Sequence, residues 1–195
     1  MHPPRPNPEV TAAIADAGLI YGDEDSSLVE RFIAGDEASF ATLYRKYYGK
    51  VHSVARGVLL DSEEAADVTQ EIFTLVYRNI GRFDRRSRFG TWLYRIAVNR
   101  SIQESRKLSR KKNWVELHEG LALEAPEGHE GSYPDVMKAM ACLKPGDRAL
   151  LTLFYWEEMS IQEIADSLGC AMNAAKTRLY RARERFREVY VEERS

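Results

Sequence analysis

The sequence predicts an all-α fold: two small helical domains joined by a flexible acidic linker, the second domain a helix-turn-helix of the winged-helix-like or homeodomain-like kind. Three observations lead there. Apolar residues recur at helical spacing in nearly every segment. Strongly basic and strongly acidic blocks abut in mid-chain, although the formal net charge is only −2. The last third reads as a capped helix, a glycine turn and a basic helix.

The helix-turn-helix is the most specific signal. Ser160 is placed to cap a helix, with Glu163 where a capping box wants its carboxylate and Met159 and Ile164 as a hydrophobic staple. Ile161, Ile164, Ala165 and Leu168 then make one buried stripe. Gly169 supplies the left-handed residue that ends the helix. In the second helix Ala175, Leu179, Ala182 and Phe186 fall on one side. Asn173, Thr177, Tyr180 and Glu184 lie roughly opposite, flanked by Lys176 and Arg181. Residues 173–188 hold six Lys/Arg against two Glu, a net of +4. Cations for phosphates and polar side chains for base edges are the chemistry of a major-groove helix. Ala171 is a poor cap, so Asn173 is expected to cap instead and shorten the helix.

The first domain is expected over residues 26–108, after a leader (1–25) that is proline-rich at its start and weakly helical over residues 9–17. Ser26 or Ser27 caps a helix ended by Gly35, and Asp36 caps the next, with Phe40, Leu43, Tyr44, Tyr47, Val51 and Val54 as its buried face. Asp61 opens a third helix with an acidic first turn, suited to the helix dipole. Its stripe is Ala65, Val68, Ile72, Leu75 and Val76, leaving Asp67, Gln70, Glu71 and Arg78 outside. Periodicity alone favours simple solvation for those four. Gly81 closes that helix, and another runs from Arg88 to about Leu108 on a stripe of Phe89, Trp92, Leu93, Ile96 and Ala97. Arg88, Arg95, Asn99 and Arg106 line up beside it. Residues 82–112 hold eleven Lys/Arg against two acids. Phe83 among arginines, followed by that Arg/Asn stripe, fits single-stranded DNA: a ring to stack on an unpaired base and cations to track the backbone. Phe83 as a core residue is equally compatible with the sequence, and Trp92 is read as mainly core.

Residues 109–133 form the linker, acidic from Asn113 onward and broken by Gly120, Pro126, Gly128 and Gly131. Residues 113–135 carry six acids and no Lys or Arg, so the acidic block is expected to shield the basic one. The second domain then spans 134–195: a helix from Pro134 or Asp135 through Leu143, a Lys144-Pro-Gly-Asp turn, a helix from Arg148 to Trp156, and the helix-turn-helix. Leu150, Leu151, Phe154 and Tyr155 are expected to pack on the latter.

Several function classes are excluded at this level. No Ser/His/Asp order, phosphate loop or metal cluster supports an enzyme, a metal site or a cofactor. Cys142 and Cys170 belong to no CxxC pair and read as small buried side chains of a cytoplasmic protein. No apolar run approaches a membrane span and no signal sequence opens the chain, so no membrane insertion is expected.

Taken in order, the blocks resemble a bacterial RNA polymerase sigma factor of the sigma-70 family, in its extracytoplasmic function group. Gly35-Asp-Glu-Ala-Ser-Phe with Leu43-Tyr44 resembles the family's first helix pair, and Asp67-Val-Thr-Gln-Glu-Ile-Phe its polymerase-binding segment. Arg88-Phe-Gly-Thr-Trp-Leu-Tyr-Arg-Ile-Ala-Val-Asn is similar to the promoter-melting and −10-reading segment. Leu168-Gly-Cys to Arg183-Glu-Arg resembles the −35-reading helix-turn-helix. The resemblance implies a factor that binds core RNA polymerase, through the clamp helices of the largest subunit and the flap, and directs promoter-specific initiation. It implies that Asp67, Gln70 and Glu71 meet the clamp. It places Phe83, Asp84, Arg85, Arg86 and Ser87, with Arg95 and Asn99, at the −10 non-template single strand, and Asn173, Lys176, Thr177, Tyr180 and Arg181 at the −35 duplex. An anti-sigma factor is a further implied partner. The rival readings are a stand-alone helix-turn-helix regulator acting on duplex DNA, and an adaptor without DNA affinity.

Overall fold

The computed structural model of the chain describes residues 24–119 and 134–192, with side chains described within 24–111 and 135–191. The leader before residue 24 and linker residues 120–133 lie outside the described residues, as do the side chains of Glu116, Glu119 and Glu124. Among the described residues every regular element is helical.

The first domain has four α-helices. Helix α1 is Glu24–Ile33 and begins before the expected Ser26 or Ser27 cap. Asp25 is the reason: its carboxylate is buried, accepting from the Tyr47 hydroxyl at 2.5 Å and pairing with Lys46 at 2.5 Å. Gly35, at φ +108°, makes the turn into α2, Glu37–Leu59. Asp36 caps α2 as expected, accepting from the Ala38 amide at 3.1 Å. Leu43, Tyr47, Val51 and Val54 are buried, with Phe40 and Tyr44 half-buried against them. Leu60 ends the helix in the left-handed region, φ +62°, without the glycine that normally signals such a stop. Asp61 caps α3, Ser62–Asn79, accepting from the Glu64 amide at 2.9 Å. Helix α3 closes by tightening into a 3-10 turn, Ile80–Arg82, so Gly81 does not act as a left-handed stop.

Helix α4 is Phe89–Glu119, longer than the sequence suggested. Acidic composition does not itself end a helix, and the first breaker after Leu108 is Gly120. Phe89, Leu93 and Ala97 are fully buried, and Trp92 and Ile96 pack partly buried beside them.

The second domain comprises α5, Pro134–Ala141, α6, Pro145–Tyr155, α7, Ile161–Leu168, and α8, Met172–Glu192. Helix α6 starts three residues before the expected Arg148, because Pro145 occupies the first helical position, where its fixed φ and missing N–H cost nothing. Leu150 and Leu151 are buried and Phe154 partly so, but Tyr155 is 54% exposed and does not join the core. Cys142 is exposed and Cys170 half-buried, so the expectation of two buried thiols fails for Cys142.

The two domains pack against each other. Helix α6 lies on α2 and α4, and α7 lies on α4. Arg148 is the central joint of this seam. Its side chain is buried and donates to the Val58 carbonyl of α2 (2.7 Å), the Ser105 hydroxyl of α4 (2.9 Å) and the Leu143 carbonyl before α6 (3.1 Å). Burial lowers the pKa of its guanidinium, and its three acceptors are neutral. Gly57 faces Thr152 so closely that a Cβ at position 57 would lie 2.2 Å from the threonine hydroxyl.

Candidate nucleic-acid and partner interfaces

The outer face of α3 carries the first surface. Asp67, Gln70 and Glu71 are exposed there, and with Thr74, Leu75, Arg78 and Arg100 they line a shallow concavity of about 510 Å³. Glu71 accepts from Arg100 Nε at 2.9 Å, and Arg100 also pairs with Glu104 at 3.0 Å. Those carboxylates raise the Arg100 pKa against the lowering effect of its burial. Two residues of this surface were missed. Leu75 was read as core, yet it is 39% exposed. At about 100° per residue it sits about 60° from Ile72, at the edge of the apolar stripe, and that offset was its only signal. Arg100 reaches α3 from the neighbouring helix, which no local pattern reveals.

The loop between the 3-10 turn and α4 corrects one assignment. Phe83 is 6% exposed, its ring edge-on to Phe89 at 5.7 Å and 5.6 Å from Trp92. It fixes the loop to the core and does not present a face to an unpaired base. Arg85 adopts a left-handed conformation, φ +59°, and its guanidinium pairs with Glu30 of α1 at 2.5 Å. Asp84 accepts from the Arg86 amide at 3.2 Å and lies 3.4 Å from its guanidinium. Arg86 is the loop's outward cation, its side chain 82% exposed, and Ser87 is half-buried.

Beyond the loop, Arg88, Arg95, Asn99 and Arg106 are all exposed along α4, as their spacing required. The second domain reaches this stripe. The Tyr94 hydroxyl donates to Glu157 at 3.0 Å, and burial together with that carboxylate pushes its pKa far up. Arg95 Nη2 lies 3.5 Å from the Asp166 carbonyl, and its guanidinium crosses over Gly169.

The third surface is α8. Ser160 and Glu163 form the full capping box on α7: the Glu163 amide donates to the Ser160 hydroxyl (3.2 Å), and the Ser160 amide donates to the Glu163 carboxylate (2.9 Å). The Ser160 contacts, helped by Arg88, lower the Glu163 pKa. Gly169, at φ +63°, makes the turn. The Ala175 amide donates to the Ala171 carbonyl at 3.0 Å, so α8 starts at Met172 with Ala171 at the cap position, and Asn173 lies inside the helix. The expected shortening does not occur. Ala175, Leu179 and Ala182 face inward, while Asn173, Lys176, Thr177, Tyr180 and Arg181 are exposed on the outer side. The cations toward the end of α8 have partners: Arg183 lies over the Phe154 ring at 4.5 Å, Arg185 pairs with Asp147 at 2.5 Å, and Arg187 lies 3.7 Å from Glu184. Among the described residues, Lys176 and Arg181 have no ion-pair partner.

Among the described residues no group of His, Cys, Asp and Glu is arranged to hold a metal ion, and no helix is long and apolar enough to cross a membrane.

The described residues thus present one polar surface on α3 and two cationic surfaces, along α4 and on α8. Comparison with known proteins gives the class. Residues 43–111 match the sigma-70 region 2 family and residues 134–186 the sigma-70 region 4 family. The chain is 32% identical to the RNA polymerase sigma-H factor of Pseudomonas aeruginosa, over 85% of this chain and 93% of that protein. It is 31% identical to the ECF RNA polymerase sigma factor SigW of Bacillus subtilis, over 79% and 90%. It is 33% identical to the ECF RNA polymerase sigma-E factor of Escherichia coli K12, over 82% and 91%. In fold it is similar to CnrH solved with the cytosolic domain of CnrY, at TM-score 0.66 and 24% identity, covering 89% of this chain and 100% of that one. The chain therefore belongs to the sigma-70 family of RNA polymerase sigma factors, in the extracytoplasmic function group. It binds core RNA polymerase and directs promoter-specific initiation of transcription. The stand-alone regulator is not favoured, because region 2 accompanies the helix-turn-helix.

Proposed function

We propose that the three surfaces divide the work of initiation as follows. Asp67, Gln70 and Glu71, with Leu75 and Arg100, dock on the clamp helices of the largest polymerase subunit, and the second domain engages the flap. Arg95 and Asn99, with Asp84, Arg86 and Ser87 of the preceding loop, hold the −10 non-template strand. Phe83 and Arg85 shape that loop from within: one is anchored in the core and the other on Glu30. Extruding a base costs roughly a few kcal/mol of stacking, which binding of the separated strand has to offset. Asn173, Lys176, Thr177, Tyr180 and Arg181 enter the −35 major groove. Thr177 donates its hydroxyl to the Asn173 carbonyl at 2.9 Å, which leaves its oxygen lone pairs and methyl for the DNA. The protein carries out no catalytic step of its own and acts beside the polymerase in the cytoplasm. An anti-sigma factor is a further partner, by analogy with Bartonella quintana RpoE, a chain of similar fold (TM-score 0.62, 22% identity, covering 77% of this chain and 95% of that one) solved with the anti-sigma factor NepR.

The observation that carries this division is the outer face of α8, where among the described residues Lys176 and Arg181 have no ion-pair partner while later cations of the same helix are paired internally. Holoenzyme binding to a promoter selected from random DNA tests it. Arg181→Ala is expected to weaken binding by about 1–3 kcal/mol, and only where the −35 element is intact. Equal loss on scrambled −35 elements would show a phosphate contact instead.

A further inference from the structure

Helix α1 lies outside the segments read as binding DNA, yet it holds the loop before α4. Its inner residues Leu28, Val29 and Phe32 are buried, and Phe32 packs on Phe40 of α2 at 5.2 Å and on Tyr77 of α3 at 5.1 Å. The helix is therefore a fixed support. From it Glu30 reaches the loop and meets the Arg85 guanidinium at 2.5 Å. The Arg85 side chain is 18% exposed, whereas that of Arg86 is 82% exposed. Two adjacent arginines thus do different things: one turns back onto the domain and the other points away from it.

The backbone explains why such a tie is needed. Arg85 sits at φ +59°, in the left-handed region. Glycine adopts that conformation freely and asparagine or aspartate at low cost, but a long side chain stays there only where its surroundings hold it. An ion pair at a surface adds little to the stability of a fold. This one has a smaller task, to bias a short loop between backbone states, and one of its partners is largely withdrawn from water. With residue 85 left-handed, the chain reverses and brings Asp84 and Arg86 side by side. The Arg86 amide donates to the Asp84 carboxylate at 3.2 Å, and the two side chains lie 3.4 Å apart. An acceptor beside a donor, with Ser87 next in the chain, is a polar edge suited to the hydrogen-bonding edge of an extruded base.

We propose that Glu30 is a positioning residue for base choice in the −10 element: it holds Arg85 in the left-handed conformation, so that Asp84, Arg86 and Ser87 present one fixed edge to the unpaired base. Glu30 itself stays off the DNA. The inference rests on the reading of this loop as part of the −10 strand site.

Glu30→Ala tests it in the holoenzyme. The Glu30 side chain is 55% exposed and alanine is the best helix former, so the fold survives the change. The probe is a promoter selected from random DNA by the wild-type holoenzyme, with single-base changes through its −10 and −35 elements. Each change gives a discrimination ratio, the fold by which it weakens binding. Glu30→Ala is expected to reduce that ratio about tenfold at one −10 position, within the usual worth of one base pair, and to leave the −35 ratios unchanged. In an Arg85→Gly background, where residue 85 turns left-handed without a partner, Glu30→Ala should cause no further loss. Unchanged −10 ratios in Glu30→Ala, at a promoter where Asp84→Ala and Arg86→Ala reduce them, would overturn the positioning role and leave the loop's assignment standing. An equal further loss in the Arg85→Gly background, or ratios reduced alike at −10 and −35, would overturn it too. If neither Asp84→Ala nor Arg86→Ala alters any −10 ratio, the assignment of the loop falls and the inference falls with it.

Discussion

Replacing Arg148 by alanine should uncouple the domains, and its cost follows from the hydrogen bonds lost. The guanidinium serves Val58, Leu143 and Ser105 at 2.7, 3.1 and 2.9 Å, all in buried surroundings. Each buried acceptor stranded without a donor costs about 1–3 kcal/mol. Against that stands the relief of no longer desolvating a cation, which is several kcal/mol for an isolated charge and smaller for one already hydrogen-bonded. The balance is a loss of about 2–4 kcal/mol, concentrated at the seam. Arg148→Met keeps the apolar length of the side chain and should lose less, because it fills the space and admits less water to the seam. Urea unfolding followed by tryptophan fluorescence and circular dichroism checks this. At about 1–3 kcal/mol per molar urea, the alanine variant should shift its midpoint by about 1–2 M. Its two probes should also cease to coincide, since the domains then melt separately. An alanine variant unfolding in one transition at the wild-type midpoint would refute the reasoning, because Arg148 would then carry no coupling.

Leu75→Ala should leave the melting temperature nearly unchanged, since the side chain is already 39% exposed, while weakening core polymerase binding by about 1–2 kcal/mol in a titration of labelled protein. Glu163→Gln tests the capping box against pH: the folded carboxyl is held below its ordinary value by the Ser160 hydroxyl and amide and by Arg88, so its contribution is present above the ordinary carboxylate pKa and fades as pH falls through the lowered one. The variant should therefore be less stable than wild type at neutral pH, by about 0.3–1 kcal/mol, with the difference closing as pH falls below the ordinary carboxylate range in melts across acid pH; a constant difference would mean that the carboxylate charge does not matter.

The parts of this protein legible in its sequence are those set by local geometry. The capping box of α7, the Asp36 and Asp61 caps and the left-handed Gly169 each depend on residues a few positions apart, and each appears where its residues place it. The buried and exposed faces of α8 were legible for the same reason, since one period fixes both sides. What escaped depends on contacts distant in the chain. Asp25 begins α1 early because Tyr47 and Lys46 wait 22 and 21 residues later. Phe83 could be a base-stacking ring or a core ring until Phe89 and Trp92 are seen around it. Leu75 sits where a helical wheel puts the edge of the core, and only the packing decides that it is outside. The interdomain seam had no sequence signal, because an arginine that reads backbone carbonyls needs no complementary side chain to announce it.

The most direct test of the central claim is co-elution of the purified protein with sigma-free core RNA polymerase, beside a Glu71→Lys control. Glu71 is about half exposed in its pair with Arg100, so reversing its charge should cost the fold no more than about 1 kcal/mol while opposing the docking surface directly. Stoichiometric co-elution of the wild type, lost in a folded Glu71→Lys variant, is the predicted result. A wild type that fails to co-elute, or a variant that co-elutes as well as the wild type, would contradict the assignment of this surface to polymerase.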